Sequence, residues 1–211
     1  MITLYTWSTP NGLKISIALE EMNLAYAVQP VNIGQGEQFN PDFLAISPNN
    51  KIPAIQDGSV AVFESAAILI YLARKSGLFL AAESTDTYWK TMEWLMWQTG
   101  GFGPMLGQAH HFLHHHPEKS DYAATRYHTE AKRLYRVLDQ RLSESEYLVS
   151  EISIADFAVW PWVSRFEYQH IDLNDYPNIK RWYLALASRP AFSRGYAQPI
   201  DVNPIPLPGS V

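Results

Sequence analysis

The chain predicts an α+β protein: an N-terminal domain ordered βαβ-ββα over residues 1–80, an all-helical domain over 87–196, and a proline-rich tail over 197–211. Three observations carry this. Short strand and helix patterns alternate from residue 2 to about residue 77, whereas 86–196 reads almost wholly at helical spacing. Asp57-Gly58 is a hairpin signal between two apolar runs. Hydrophobic residues make up 47% and aromatics 13% of 211 residues, including seven Trp, enough for a sizeable core in one domain or two.

In order along the chain, Ile2-Thr3-Leu4-Tyr5-Thr6-Trp7 has the period-2 pattern of a strand. Thr9 is placed to cap a helix whose first residue is Pro10, with Ile15, Ala18, Leu19 and Met22 on its buried face. Tyr26 to Val31 reads as a second strand. The stretch from Asn32 to Asn50, with Gly34, Gly36, Pro41 and Pro48, reads as loop with one helical turn. Ile52 to Gln56 and Ala61 to Phe63 form the hairpin, and Ser65 is placed to cap a helix burying Ile68, Leu69 and Leu72 and ending near Gly77. Strand, helix, strand, hairpin and helix in this order make a thioredoxin-like core.

Beyond a linker at about 81–87, Trp89, Met92, Met96 and Trp97 mark a long helix, with a bend expected at Gly100-Gly101 and Gly103-Pro104. Tyr127, Ala131, Leu134, Leu138 and Leu142 give helical spacing over 122–142. Ser153-Ile154-Ala155-Asp156 is a capping box with Asp in place of Glu. A last helix runs from Pro177 to Arg189 and is stopped by Pro190. Four prolines in the thirteen residues from Pro199 place the tail on the surface or leave it disordered.

Composition excludes several functions. A net charge of −5 without a dense basic run argues against nucleic acid as a partner. The apolar runs fall far short of the ~20 residues that span a bilayer, so no membrane partner is expected. Met1-Ile2-Thr3 runs straight into a strand pattern with no leader, which predicts a cytoplasmic protein. Cysteine is absent, which removes disulfides, cysteine metal sites and Cys-x-x-Cys redox pairs. Any thiol chemistry must use a thiol brought in by a ligand.

An extended run ending in Ile52-Pro53, a short strand, a turn and a Glu64-Ser65 helix start offer backbone to a peptide and a helix N-terminus to a carboxylate. Both point to glutathione. The chain resembles the cytosolic glutathione transferases from Ile2 to about Arg194. The runs Thr9-Pro10-Asn11-Gly12, Gly36-Glu37-Gln38-Phe39, Ser47-Pro48-Asn49-Asn50-Lys51-Ile52-Pro53 and Gly103-Pro104-Met105-Leu106-Gly107-Gln108 are those of the nu class. The resemblance implies a symmetric homodimer with one active site per subunit. It also implies that two glutathiones, or one oxidised glutathione, are bound as substrate, and that disulfides are reduced without a protein cysteine. The second substrate would be a small disulfide or electrophile. Conjugation of electrophiles, reduction of organic peroxides and a non-catalytic interaction role are the alternatives.

The resemblance assigns roles residue by residue. Pro53 is expected to be cis, leaving the N–H and C=O of Ile52 to pair with the ligand's cysteinyl backbone; an edge proline is the plainer reading. Ser65 and the free N–H groups of its helix face the γ-glutamyl carboxylate, and Glu64 its ammonium. Gln38 and Lys51 reach toward the glycyl end, as does Arg126 from the second domain. Thr9 falls where the sulfur is met, as hydroxyl donor, with the Asn11 amide beside it. Thr9 also fits a simple helix cap, and Tyr5 and Ser8 are weaker candidates for the sulfur. Asp156 is read as structural. His110, His111, His114, His115 and His116 include pairs at the i,i+4 spacing used for zinc. They lack the metalloprotease Glu and a supporting shell, so no metal site is assigned.

Overall fold

The computed structural model describes residues 1–201 and 204–209. The chain divides into two compact units, Met1–Leu80 with Ala187–Ile205, and Ala81–Leu186 with Pro206–Val211. The second unit stops short of the expected boundary at 196, because the last helix packs with the N-terminal residues.

The first unit is built on a four-stranded sheet in the order β2-β1-β3-β4, with β1 at Ile2–Thr6, β2 at Tyr26–Pro30, β3 at Ala54–Asp57 and β4 at Val60–Phe63. β1 runs parallel to β2 with Ile2 opposite Tyr26, and antiparallel to β3 with Tyr5 opposite Ala54. β3 and β4 are antiparallel, with Ala54 opposite Phe63. This is the thioredoxin-like order, with the parallel pair joined by a helix as such pairs require. Period-2 alternation buries Ile2 and Leu4. The hairpin turn is Gly58-Ser59, one residue later than expected, with Gly58 at φ 62° and Asp57 closing β3.

Helix α1, Pro10–Glu21, joins the parallel strands. It was expected to bury one face, yet the eight residues Gly12–Leu19 are all buried. The sheet covers one side, α3 (Ser65–Ser76) another, and α9 (Pro190–Tyr196) the remainder. Pro190 therefore does not only stop the preceding helix. It also occupies the first position of α9, where a missing N–H is harmless. Contact between α9 and α1 is close: Ser16 Oγ donates to the Gly195 carbonyl at 2.7 Å, and a Cβ on Gly195 would lie 2.6 Å from the Ile17 backbone. Arg189 and Arg194 pair with Glu21 and Glu20 at 2.6 Å each. Between β2 and β3 stand two 3₁₀ turns, Ile33–Gln35 and Glu37–Phe39, and the short α2, Pro41–Leu44.

The second unit is helical. Thr85 caps α4 (Asp86–Trp97) by accepting from the Tyr88 N–H. The expected bend at the glycines is replaced by a wide π turn, Gln98–Phe102, which leads into α5 (Gly103–His110) with helical dihedrals kept at both joints. A second π turn spans His111–His115 before α6, Asp121–Glu144, capped by Ser120. α7 (Ile154–Val163) is buried along its whole length, and α8 is Pro177–Ala187. The core is aromatic, with Phe102, Tyr135, Phe157, Trp160, Trp182 and Tyr183 fully enclosed. Asp156 closes the capping box, accepting from the Ser153 N–H at 2.9 Å and, by its other oxygen, from Leu148 N–H and Trp182 Nε1. Burial pushes its carboxyl up to about 6 against those hydrogen bonds. In the tail, Ser8 Oγ donates to the Ile200 carbonyl and Tyr183 Oη to that of Pro206. Residues 202, 203, 210 and 211 of the expected tail lie outside the described residues.

Candidate active site

Where β1 ends, the chain turns through Trp7-Ser8-Thr9 into α1. Thr9 is the N-cap, with φ −118° and ψ 159°, and its Oγ1 accepts from the Gly12 N–H at 3.3 Å. Gly12 is buried, and a Cβ there would overlap Thr6 Oγ1 and the Trp7 carbonyl. The start of α1 is thereby pressed onto the end of β1, which fixes Thr9 and Asn11. Both are half-buried.

Asn11 opens onto a pocket of about 140 Å³ whose other walls are Ser47, Lys51, Ile52, Pro53, Phe63, Glu64 and Ser65. Six of the nine residues assigned from the sequence thus line one cavity. The Ile52-Pro53 bond is cis. The β3 ladder begins only at Ala54, which leaves the Ile52 main chain outside it. Buried Ser47, which sequence reasoning passed over, donates to the Lys51 carbonyl at 2.8 Å and fixes the turn below the pocket. Asn50 within that turn sits at φ 49°, a left-handed position Asn tolerates.

At the other wall the expected cap is corrected. Glu64, not Ser65, holds the N-cap position of α3, at φ 70° and ψ 117° and without a side-chain cap hydrogen bond. Ser65 is the first helical residue, and its hydroxyl accepts from Lys14 Nζ at 3.2 Å. The reason is that a buried ammonium needs an acceptor more than a helix start needs a cap. Lys14 is itself only 2% exposed. Burial lowers it to about 7, with the Glu64 charge acting in the opposite direction. Nothing in the sequence around Lys14 sets it apart.

Thr9 and Gln38 stand outside the lining of this pocket. The Gln38 amide oxygen is buried and is the only such side-chain atom without a hydrogen-bond partner among the described residues. An acceptor left so costs about 1–3 kcal/mol. Arg126 belongs to the second unit, on α6, where it lines a cavity of about 510 Å³ with Met105, Tyr122 and Tyr127.

The histidines do not converge. Gln169 accepts from Tyr135 Oη at 2.6 Å and donates to the Trp162 carbonyl, so its remaining amide hydrogen points at His110 Nε2, 2.9 Å away. His110 is therefore a neutral acceptor at that nitrogen. Burial, reinforced by His115, Arg165 and His114, lowers it to about 3. His114 stacks on Tyr168 with ring centres 3.9 Å apart. No group of three or more His, Cys, Asp or Glu side chains is arranged to hold a metal ion among the described residues. No helix among them is long and apolar enough to cross a membrane.

Comparison with known proteins places the fold in a family. The family description "Glutathione S-transferase, N-terminal domain" matches residues 1–74, and "Glutathione S-transferase, C-terminal domain" matches 121–185. The chain is 53% identical over 199 residues to the disulfide-bond oxidoreductase YfcG of Escherichia coli, covering 90% of this chain and 92% of that protein. Among solved structures, a glutathione transferase of Pseudomonas putida with one glutathione disulfide bound per subunit superposes with a TM-score of 0.89 at 38% identity, over 94% of this chain and 91% of that one. A family member from Pseudomonas fluorescens with two glutathiones bound gives 0.87 at 41% identity, over 92% of each. A thioredoxin-like sheet and a helical second unit stand in a sequence matched by both family descriptions and related to these proteins along nearly its full length: the chain belongs to the glutathione S-transferase family.

Proposed function

We propose that the protein is a glutathione-dependent disulfide oxidoreductase that uses two glutathiones, or binds their oxidised product, and no thiol of its own. The observation that carries this is the cavity of Asn11, Lys51, Ile52, Pro53, Glu64 and Ser65 in a chain without cysteine. The disulfide-bond oxidoreductase to which the chain is 53% identical, and the related structures holding glutathione disulfide or a glutathione pair, support it.

In this reading the Ile52 main chain pairs with the cysteinyl unit as an added strand. Ser65 and the first N–H groups of α3 receive the γ-glutamyl carboxylate, and Glu64 its ammonium. Lys51 and Gln38 serve the glycyl end; Arg126 is assigned to it by the family resemblance alone. The Thr9 hydroxyl, with the Asn11 amide, stabilises the thiolate. That thiolate attacks one sulfur of the disulfide substrate and releases the other as a thiol after protonation. A second glutathione thiolate then attacks the mixed disulfide, giving glutathione disulfide and the second substrate thiol. Two electrons pass from two glutathiones to one disulfide, and no bond to the protein forms.

A cytoplasmic location, where glutathione is reduced, and a symmetric homodimer belong to the same proposal. Apolar side chains exposed on each unit, Val60 and Phe63 on one and Trp89 and Met96 on the other, support an assembly that covers them. Light scattering at micromolar concentration should give about twice the 24.0 kDa chain mass; a monomer mass would count against it. The central experiment assays, in parallel with glutathione, reduction of a small disulfide and conjugation to an aromatic halide. Disulfide reduction should dominate, with no glutathione adduct on the intact protein mass. Dominant conjugation would move the assignment to the transferase alternative.

A further inference from the structure

Behind the Ser65 wall of the pocket lies one buried charge that none of the assigned roles uses. Lys14 stands on α1 one turn beyond Asn11 and is enclosed, with its ammonium at the first turn of α3, 3.2 Å from Ser65 Oγ. The position is electrostatically adverse. A helix N-terminus already carries positive partial charge, and a buried ammonium is tolerated only when paired. Glu64 supplies a negative field from a left-handed backbone position that non-glycine residues seldom take.

We propose that Lys14 is a positioning residue for the carboxylate-binding end of the pocket: its buried ammonium holds the Ser65 hydroxyl in place under the field of Glu64, and it is coupled electrostatically to the anionic end of bound glutathione. The inference rests on the glutathione reading above. Lys14 and the ligand are then linked, because an arriving carboxylate favours the protonated amine. Burial holds Lys14 near 7, so close to neutral pH part of the population must take up a proton when glutathione binds. Glu64 is the charged group that acts on it from α3. On α1 itself, Glu20 and Glu21 lie at the far end, taken by Arg194 and Arg189 of α9, and β1 carries no ionisable side chain but Tyr5.

The test titrates glutathione disulfide, which has no thiol to ionise, by calorimetry at pH 7.5 in two buffers of different ionisation heat. Wild type, Lys14→Met and Lys14→Arg are compared, each with a thermal melt. Wild type should take up a fraction of a proton. Lys14→Met should take up none and bind at least tenfold more weakly, at an unchanged or higher melting temperature. Lys14→Arg, always charged, should recover part of the affinity without proton uptake. A Lys14→Met protein with wild-type affinity, or one that still takes up the proton, overturns the proposal. So does a Lys14→Met protein that melts lower while binding normally, since Lys14 would then be scaffold alone. Wild type failing to bind glutathione disulfide at all would instead refute the glutathione reading, and this inference with it.

Discussion

Replacing Thr9 with Ala removes two interactions of different size. The cap bond from Gly12 N–H to Thr9 Oγ1 is long, at 3.3 Å, so its loss belongs at the lower end of the range for caps, about 0.5–1 kcal/mol. That bond uses an oxygen lone pair and leaves the hydroxyl proton to be donated. A hydrogen bond to a charged group contributes about 1.5–3 kcal/mol, enough to bring a thiol from about 8.5 toward 7 at roughly 1.4 kcal/mol per tenfold change. Thr9→Ala should therefore lower kcat/KM for disulfide reduction roughly 10- to 150-fold, while the melting temperature falls only about 1–4 °C. Thr9→Ser keeps both bonds and should stay within a fewfold of wild type. Asn11→Ala removes a neutral donor that lines the pocket and should cost less than Thr9→Ala. The assay is steady-state kinetics across pH 6–9 beside calorimetric melts. If Thr9→Ala keeps full activity with only that small fall in melting temperature while Asn11→Ala abolishes activity, Thr9 is only a cap and the sulfur is held by Asn11.

Glu64→Gln keeps the backbone and removes the charge that meets the ligand's ammonium; glutathione affinity by calorimetry should fall roughly tenfold. Asp156→Ala strips an acceptor from the Leu148, Ser153 and Trp182 donors inside the helical core and should destabilise by more than about 3 kcal/mol in urea unfolding, with little change in affinity per folded molecule. His110 and Asp156 act in opposite directions with pH. His110 is near 3 folded and about 6.5 unfolded, so the unfolded chain binds the extra proton and stability falls as pH drops through 6.5 toward 3. Asp156 is near 6 folded and about 3.8 unfolded, so its own contribution rises as pH drops through 6 toward 3.8. Urea unfolding at pH 7, 6, 5 and 4 should show the acid loss flattened in His110→Gln; an unchanged acid limb would refute the His110 assignment.

Much of this fold was legible because its signals are local. The alternation of β1, the Gly77 end of α3 and the Ser153–Asp156 box each lie within a few residues, and each appears where the pattern puts it. What escaped depends on residues far apart in the chain. The one-sided reading of α1 assumed solvent on its other face, and only α9, some 170 residues later, removes that solvent. Pro190 read as a stop because a proline that ends one helix and one that begins the next look alike locally. The pocket-lining residues could be named from the Asn50-Lys51-Ile52-Pro53 and Glu64-Ser65 runs, yet the N-cap position falls on Glu64 and not on Ser65. Nothing in the sequence marks Glu64 as left-handed, and nothing joins Ser65 to Lys14, 51 positions earlier.

The two ends of the glutathione pocket are held by different physics, and they should fail differently. At the proposed sulfur end, Gly12 lets α1 close onto Thr6 and Trp7, so Thr9 and Asn11 are fixed by steric fit, which salt does not screen and pH does not titrate. At the proposed carboxylate end, the Ser65 hydroxyl accepts from one buried ammonium, on which the Glu64 charge acts and whose own charge changes near neutral pH. A Cβ at Gly12 would push the sulfur end apart at every pH, lowering turnover and stability together. With glutathione disulfide, which has no thiol to ionise, raising pH from 7 toward 9 would instead loosen the carboxylate end, while the neutral amine relieves a buried charge and stabilises the fold through the same window. Affinity that weakens while the protein grows more resistant to urea is a pattern steric damage cannot produce, and it separates the two ends without any mutation.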